Sequence, residues 1–271
     1  MEPEFEIVTV TSGARSVRSR EFRQVFHPVV GPMAEARGMH ARGSRVGERA
    51  AACEGAFVVW DVGLGAAANA VAVLEECAAH RVEMHSFDRT LAPLAFAFEH
   101  SEELGYLAPF HAAIESLLAT GRAQVGCVEW IFHAGEFADS LATAPPPHAI
   151  LYDPYSPGAN REMWTLEHFT RLQARLEPAR PCLLTSYTRS TAMRVTMLLA
   201  GFFVGRGHAT GEKDETTIAA NDVALLDEPL DAAWLARVVR STASAPLREE
   251  GGGGAIGPDD LARLHAHRQF A

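Results

Sequence analysis

AFVVWDVGLGAAANA, residues 56–70, decides the fold. Its first half is a short apolar, β-branched run suited to a strand buried on both faces, and its second half is alanine-rich and helical. Gly63 and Gly65 lie between them. Glycine accepts positive φ and lets backbone approach a ligand, while the free N–H groups of the following helix present the positive end of its dipole. A nucleotide cofactor is the natural occupant of such a turn, with Asp61 at the strand end beside it.

The same texture recurs downstream. VEMHSFD (82–88), VGCVEWIFH (125–133), HAILYD (148–153) and CLLTSY (182–187) each precede a helical stretch. With the opening unit they predict five strand–helix repeats, a parallel sheet covered on both faces and right-handed crossovers. After Gly201, FFVGR (202–206) and TTIAAND (216–222) read as a terminal β-hairpin around a Gly-rich loop containing Lys213. Upstream, residues 5–26 alternate as two short strands about Ser12-Gly13, and Pro32 to Cys53 reads as helix. The expected organisation is a β/α cap (1–54), a Rossmann-like α/β domain with a mostly parallel seven-stranded sheet (55–226), and a helical tail (227–271) with a flexible linker at Gly251–Gly254.

Composition narrows the class. The chain is 48% hydrophobic and 21% charged, as in an ordinary globular protein. Its four cysteines form no CxxC pair, its twelve histidines no HExxH, and Ser186 sits in no G-x-S-x-G elbow, so neither a metal site nor a hydrolase nucleophile is predicted. The acidic start lacks the basic region of a signal peptide, and no apolar run approaches the roughly 18 residues of a membrane span. A cytoplasmic protein without membrane contact is expected. The formal net charge of −10 argues against general nucleic-acid affinity, yet residues 7–50 carry eight arginines (Arg15, Arg18, Arg20, Arg23, Arg37, Arg42, Arg45 and Arg49) against three glutamates. Any polyanion should meet that segment.

Asp88 ends the second of these strands, near the spacing at which a carboxylate accepts hydrogen bonds from a ribose diol. Gly63-Leu64-Gly65-Ala66-Ala67-Ala68 also fits the G-x-G-x-x-A form of the NAD(P) fingerprint. S-adenosylmethionine (SAM) is favoured by the long segment before the first strand, the terminal hairpin and the motif after HAILYD. That motif, Asp153-Pro154-Tyr155-Ser156-Pro157, lies at the carboxyl end of its strand, where open α/β sheets bind ligands. It resembles the Asp-Pro-Pro-Tyr motif of amino-methylating methyltransferases, which points to a nitrogen acceptor with Asp153 and Tyr155 as the catalytic pair.

Both motifs in place, the chain resembles the MnmC-like methyltransferase family over most of residues 8–271. The likeness runs through Thr11-Ser12-Gly13, His27-Pro28, Gly31, Pro32 and Glu35; Asp61, Gly63, Gly65 and Asn69; Ser86-Phe87-Asp88; and Gly135-Glu136. It continues through Asp153 to Pro157 with Asn160 and Met163-Trp164-Thr165, Thr185-Ser186-Tyr187, Arg194, Gly201-Phe202, Gly211 with Lys213, and Ala245-Pro246-Leu247-Arg248. The resemblance implies a class I SAM methyltransferase fold. It also implies methylation of 5-aminomethyl-(2-thio)uridine at the tRNA wobble position, with S-adenosylhomocysteine (SAH) as product. It puts Asp61, Gly63, Gly65, Asn69, Asp88, Glu136 and Asp153 on the cofactor. Pro154, Ser156, Pro157, Trp164, Tyr187 and Lys213 fall on the substrate side.

The chain departs from the family at Ala67, where a third glycine is usual, at Glu136 in place of aspartate, and in carrying no fused flavin oxidoreductase domain; no flavin is expected. A small-molecule amine methyltransferase, an NAD(P)-dependent oxidoreductase and a noncatalytic SAM-binding protein are the alternatives. Oligomeric state is left open.

Overall fold

A computed structural model describes residues 4–209 and 214–270. The chain opens with an antiparallel sheet of β1 (Phe5–Thr9), β2 (Arg15–Ser19) and β3 (Gln24–Val25). Helix α1 (Pro32–Glu35) then runs into a π-helical turn, Ala36–Arg42, and α2 (Val46–Ala51) follows.

The central sheet begins with β4 (Phe57–Val62), which is buried at every position. Helix α3 (Ala68–Cys77) leads to β5 (Val82–Asp88), and α4 (Ala92–Glu99) follows it. The remaining strands are β6 (Arg122–Val125), β7 (Val128–Ala134), β8 (Ala149–Tyr152), β9 (Leu183–Ser186), β10 (Phe203–Gly207) and β11 (Thr216–Ala220). Their order is β10-β11-β9-β8-β4-β5-β7-β6. Strands β4, β5, β7, β8 and β9 are parallel, and β11 runs antiparallel to both β9 and β10.

One strand more than expected closes an edge. The stretch read as a single strand over 125–133 is split at Gly126, which turns the chain at φ 55 so that β6 pairs back onto β7. A side chain there could not fit, because a Cβ would lie 2.3 Å from the Ala78 carbonyl oxygen. The end of α3, distant in sequence, and not the local alternation of residues, sets this break.

Alternation along β4 distributes the core. Phe57 and Val59 face a cluster that includes Val71 and Leu74 of α3, Met84, and the cap residues Phe5, Val17 and Ala36. Val58, Trp60 and Val62 face the other cluster, with Ile150, Tyr152, Phe169 and the tail residues Leu230, Trp234, Leu235 and Leu264. The glycine run expected as a linker lies against the tail segment Ser244–Leu247. Gly251, Gly252, Gly253 and Gly254 all have positive φ, and the Gly254 carbonyl accepts from the N–H groups of Ser244 and Ala245, each at 2.9 Å. Among the described residues no helix is long and apolar enough to cross a membrane.

Arg194, on the helix Thr191–Leu199, is 2% exposed and ties that helix to β11. Its guanidinium donates to Glu215 Oε1 at 2.7 Å, the Thr216 carbonyl at 2.7 Å and Thr217 Oγ1 at 3.0 Å. Hydrogen bonds from a charged donor contribute about 1.5–3 kcal/mol, and truncation leaves buried acceptors unpaired. Arg194→Ala is therefore expected to lower stability by about 3 kcal/mol in urea unfolding; a loss below about 1 kcal/mol would show the network to be dispensable.

Candidate functional site

Parallel strands β4, β5 and β8 end side by side, and their carboxyl ends border a cavity of about 530 Å³. Sheet order reverses at β4, with β5 on one side and β8 on the other. Such a switch point leaves a crevice between the loops. Gly63 and Gly65 line it, and their conformations explain the residue type. Gly63 has φ 90, and a Cβ there would sit 2.6 Å from the Asp153 carbonyl oxygen. At Gly65, with φ 50, a Cβ would press on the Phe26 ring at 3.3 Å.

Ala67, in the position of the family's third glycine, also adopts the left-handed region, with φ 63 and ψ 21. An L-residue loses roughly 1–2 kcal/mol there. The turn nevertheless closes: Ala67 N–H donates to the Leu64 carbonyl at 2.8 Å, and Tyr106 Oη donates to the Ala66 carbonyl at 2.9 Å.

The carboxylates beneath and beside this turn have different surroundings. Asp88 lines the cavity, its Oδ2 accepting from Gly65 N–H at 2.9 Å and its Oδ1 from Arg89 N–H at 2.7 Å. Burial raises its pKa, opposed by those backbone donors. Thr90 N–H also reaches this carboxylate, and the lone-pair capacity that remains suits it to a ribose hydroxyl. Asp61 is fully buried below the turn and does not reach the cavity. Ser86 Oγ donates to its Oδ2 at 2.7 Å and accepts from Trp130 Nε1 at 2.8 Å, while Oδ1 has no partner. Burial pushes Asp61 up to about 7, with Asp153 and Asp88 adding repulsion.

The Asp153–Pro157 loop forms the facing wall. Asp153, Pro154, Tyr155 and Ser156 line the cavity with Glu136 and Tyr187; Pro157 does not. Asn69, 3% exposed, also lies off the cavity, and its Nδ2 donates to Asp153 Oδ2 at 2.9 Å. Trp164 is fully buried behind the loop, its Nε1 donating to the Tyr155 carbonyl at 2.8 Å. Tyr187 Oη donates to the Pro154 carbonyl at 3.1 Å. Asn69 and Trp164 thus hold the loop and do not face a ligand, and Lys213 lies outside the described residues. Glu136 binds Arg89 Nε at 2.8 Å on the cavity rim.

Sequence reasoning missed the contribution of the cap. Phe22 stacks on Tyr155 with ring centroids 4.3 Å apart, Phe26 is tilted to it at 5.8 Å, and Gln24 Nε2 donates to Ser156 Oγ at 2.5 Å. His27 and Glu35 enter the cavity between cap and loop. One face of Tyr155 is therefore already covered, which limits base stacking to the remaining surface. The Gln24–Ser156 contact joins residues 132 apart in sequence, which local patterns do not encode.

The arginines of residues 7–50 are less available to a polyanion than their number suggests. Arg18 and Arg20 both pair with Glu6, at 3.3 and 2.8 Å. Arg37 pairs with Glu75 through two 2.7 Å bonds, and Arg45 with Asp227 at 3.1 Å. Arg49 lies over the Phe57 ring.

Comparison with known proteins bears on the cofactor. A family model described as S-adenosyl-L-methionine-dependent methyltransferase matches residues 133–222, the segment carrying the Asp153 loop. The crystal structure of MnmC2 from Aquifex aeolicus is similar over 98% of this chain and 84% of that one, at 22% identity and a TM-score of 0.73. Spermidine synthase from Thermotoga maritima is similar over 98% and 80%, at 11% identity and a TM-score of 0.53. No curated protein matches the chain by sequence. The family match points to a SAM-dependent methyltransferase over residues 133–222, and the likeness to the two solved structures shows a shared fold.

Two outcomes are expected at this site. Asp88→Ala should weaken SAH binding by about 1.5–3 kcal/mol in calorimetry, the size of a hydrogen bond to a charged group; unchanged affinity would remove Asp88 from the ribose. Asp61 gives a pH signature. Its folded pKa lies above the unfolded value, so the native state holds the extra proton and stability falls as pH rises from about 4 to about 7. Asp61→Asn should abolish that fall, which amounts to at most about 1.4 kcal/mol per pH unit. Identical stability–pH curves for both proteins would contradict it.

Proposed function

We propose that this protein transfers a methyl group from SAM to an amine, and that the amine is the aminomethyl group of 5-aminomethyl-(2-thio)uridine in tRNA. One observation carries the reading: a glycine turn with a diol-accepting carboxylate, Asp88, and the acidic Asp153-Pro154-Tyr155 loop border one cavity. Gly63, Gly65 and Asp88 would hold the nucleoside and methionine portions, with Glu136 toward the base. The cradle fits, because the Gly63–Gly65 turn and Asp88 border the same cavity. SAM when bound supplies an electrophilic methyl on a sulfonium.

The protein's own share is alignment and desolvation, since an in-line displacement benefits most from holding the attacking lone pair on the methyl axis. Asp153, fixed by Asn69, accepts a hydrogen bond from the amine, and the Pro154 carbonyl stands beside it, already accepting from Tyr187. Phe22, Phe26 and Tyr155 exclude water. The terminal antiparallel hairpin supports SAM over NAD(P), whose usual sheet lacks it.

A second reading, a small cationic amine, is favoured by Glu4, Glu21, Glu35 and Glu136 around the cavity and by the pairing of the cap arginines. Methylation assays on tRNA bearing 5-aminomethyluridine and on free alkyl amines, at two salt concentrations, separate the two. The tRNA reading expects salt-sensitive methylation of the tRNA, weakened when Arg15, Arg18 and Arg20 are changed together to Ala. Salt-independent methylation of free amines alone would overturn it. In either case Asp153→Ala is expected to lose methyl transfer by about 10²-fold or more while SAH affinity stays within a few-fold, and full turnover would contradict the assignment.

A further inference from the structure

An alkyl ammonium resembles a lysine side chain, with a pKa of about 10.4, and has no lone pair to attack a methyl group until it loses a proton. The acceptor reading therefore requires a base within reach of the amine. Asp153 is a poor one by itself: a carboxylate can hold an ammonium, but its ordinary pKa near 4 gives it little hold on the proton. The cavity contains one imidazole that can serve. His27 lies among the residues lining the cavity, its side chain 10% exposed. Its Nε2 is 3.7 Å from Asp153 Oδ2, and its Nδ1 is 3.8 Å from Glu35 Oε2. Glu35 is itself 6% exposed and enters the cavity from α1.

The backbone is arranged for this placement at a cost. His27 adopts φ 50, a left-handed conformation that only a few non-glycine residues take and that recurs where function fixes a side chain. The second histidine near Asp153 differs. His40 is fully buried, with Nδ1 2.8 Å from Thr185 Oγ1 and Nε2 3.8 Å from Asp153 Oδ2, without a hydrogen-bond partner. Burial, reinforced by His27, holds its pKa down to about 3. It stays neutral and backs Asp153 without access to the amine.

Resting on the N-methyltransferase reading, we propose that His27 is the general base that deprotonates the acceptor ammonium, with Glu35 as the positioning residue that fixes its ring. The ammonium is held by Asp153 and gives one proton to His27 Nε2. The freed lone pair forms the N–CH3 bond as the S–CH3 bond breaks, and that bond's electron pair stays on sulfur. The product is a protonated secondary amine, SAH and an imidazolium flanked by Glu35 and Asp153, which returns its proton to solvent. The separations of 3.7 and 3.8 Å are long for hydrogen bonds, as catalytic contacts often are before substrate arrives. The groups facing His27 are Glu35 from α1, Asp153 from the loop after β8 and His40 from the π-turn; Tyr187 stands beyond the two carboxylates.

The test is the pH dependence of kcat for wild type, H27Q and E35Q, using tRNA bearing 5-aminomethyluridine, or methylamine if the tRNA is not a substrate. SAH affinity is followed by calorimetry and the His27 ring by 15N NMR. Wild type should show an acid limb of slope one that follows His27 protonation in the NMR titration. H27Q should lose about 10²- to 10⁴-fold in kcat near neutrality with SAH affinity within about threefold. Its activity should then rise about tenfold per pH unit toward the amine's own titration. E35Q should lose less and shift the acid limb to lower pH, because an imidazolium without that carboxylate is less stable. A purely structural role would lower activity equally at all pH values. H27Q with wild-type kcat and acid limb overturns the base assignment alone. A wild type that methylates neither amine overturns this proposal together with the reading on which it rests.

Discussion

Everything at the ligand end depends on the backbone of Gly63 lying against the backbone of Asp153. A methyl group at Gly63 would approach the Asp153 carbonyl oxygen to 2.6 Å, so the loops after β4 and β8 can meet only if that residue has no side chain. The contact follows from the sheet. Val62 pairs with Tyr152 in the β4–β8 ladder, and Asp153 N–H extends it by donating to the Val62 carbonyl at 2.9 Å. The glycine turn and the Asp153 loop, proposed to hold cofactor and acceptor, are therefore parts of one hydrogen-bonded unit. On the other side Gly63 N–H donates to the Phe87 carbonyl at 2.9 Å, which fixes the Asp88 end of β5 to the same turn.

The cap completes the site. Gln24 clasps Ser156, the Phe22 and Phe26 rings pack on Tyr155, and Phe26 also contacts the space above Gly65. Under the proposed reading, these rings shield the place where a neutral amine must form. Charge is arranged along the same line: the glutamates of the cap and Glu136 surround a cavity whose wall at Arg89 is held by Glu136 and Glu162, at 2.8 and 2.6 Å. Such a field would draw the proposed cationic acceptor inward before any specific contact forms.

The glycine turn, the strand succession, the terminal hairpin and the Asp153–Ser156 loop were legible in sequence because each is a local pattern. Periodicity identified the strands, and glycine spacing marked the turn. Side-chain direction was less legible. Asp61 was expected on the cofactor, but it lies in the sheet interior, opposite Ser86 in the ladder, and its carboxylate joins Ser86 and Trp130 beneath the turn. Asn69 and Trp164 were expected on ligands; they lie off the cavity and hydrogen-bond the Asp153–Tyr155 loop. The eighth strand was hidden because Gly126 answers to a helix end distant in sequence, and the contacts of Phe22, Gln24 and His27 with the Asp153–Ser156 loop were hidden because they arise only when the cap folds onto the sheet. Pairing of charge was equally hidden, since Arg18 and Arg20 meet Glu6 while Arg37 and Arg45 meet Glu75 and Asp227.

The central claim is that one cavity holds a nucleoside sulfonium at the glycine turn with its methyl directed at the Asp153 loop. A crystal structure of the SAH complex tests it most directly. The account predicts ribose hydroxyls on the Asp88 carboxylate, the methionine portion along Gly63 and Gly65, and the sulfur facing the space between Asp153 and Tyr155. SAH bound away from Asp88, or with its sulfur turned from the Asp153 loop, would contradict it.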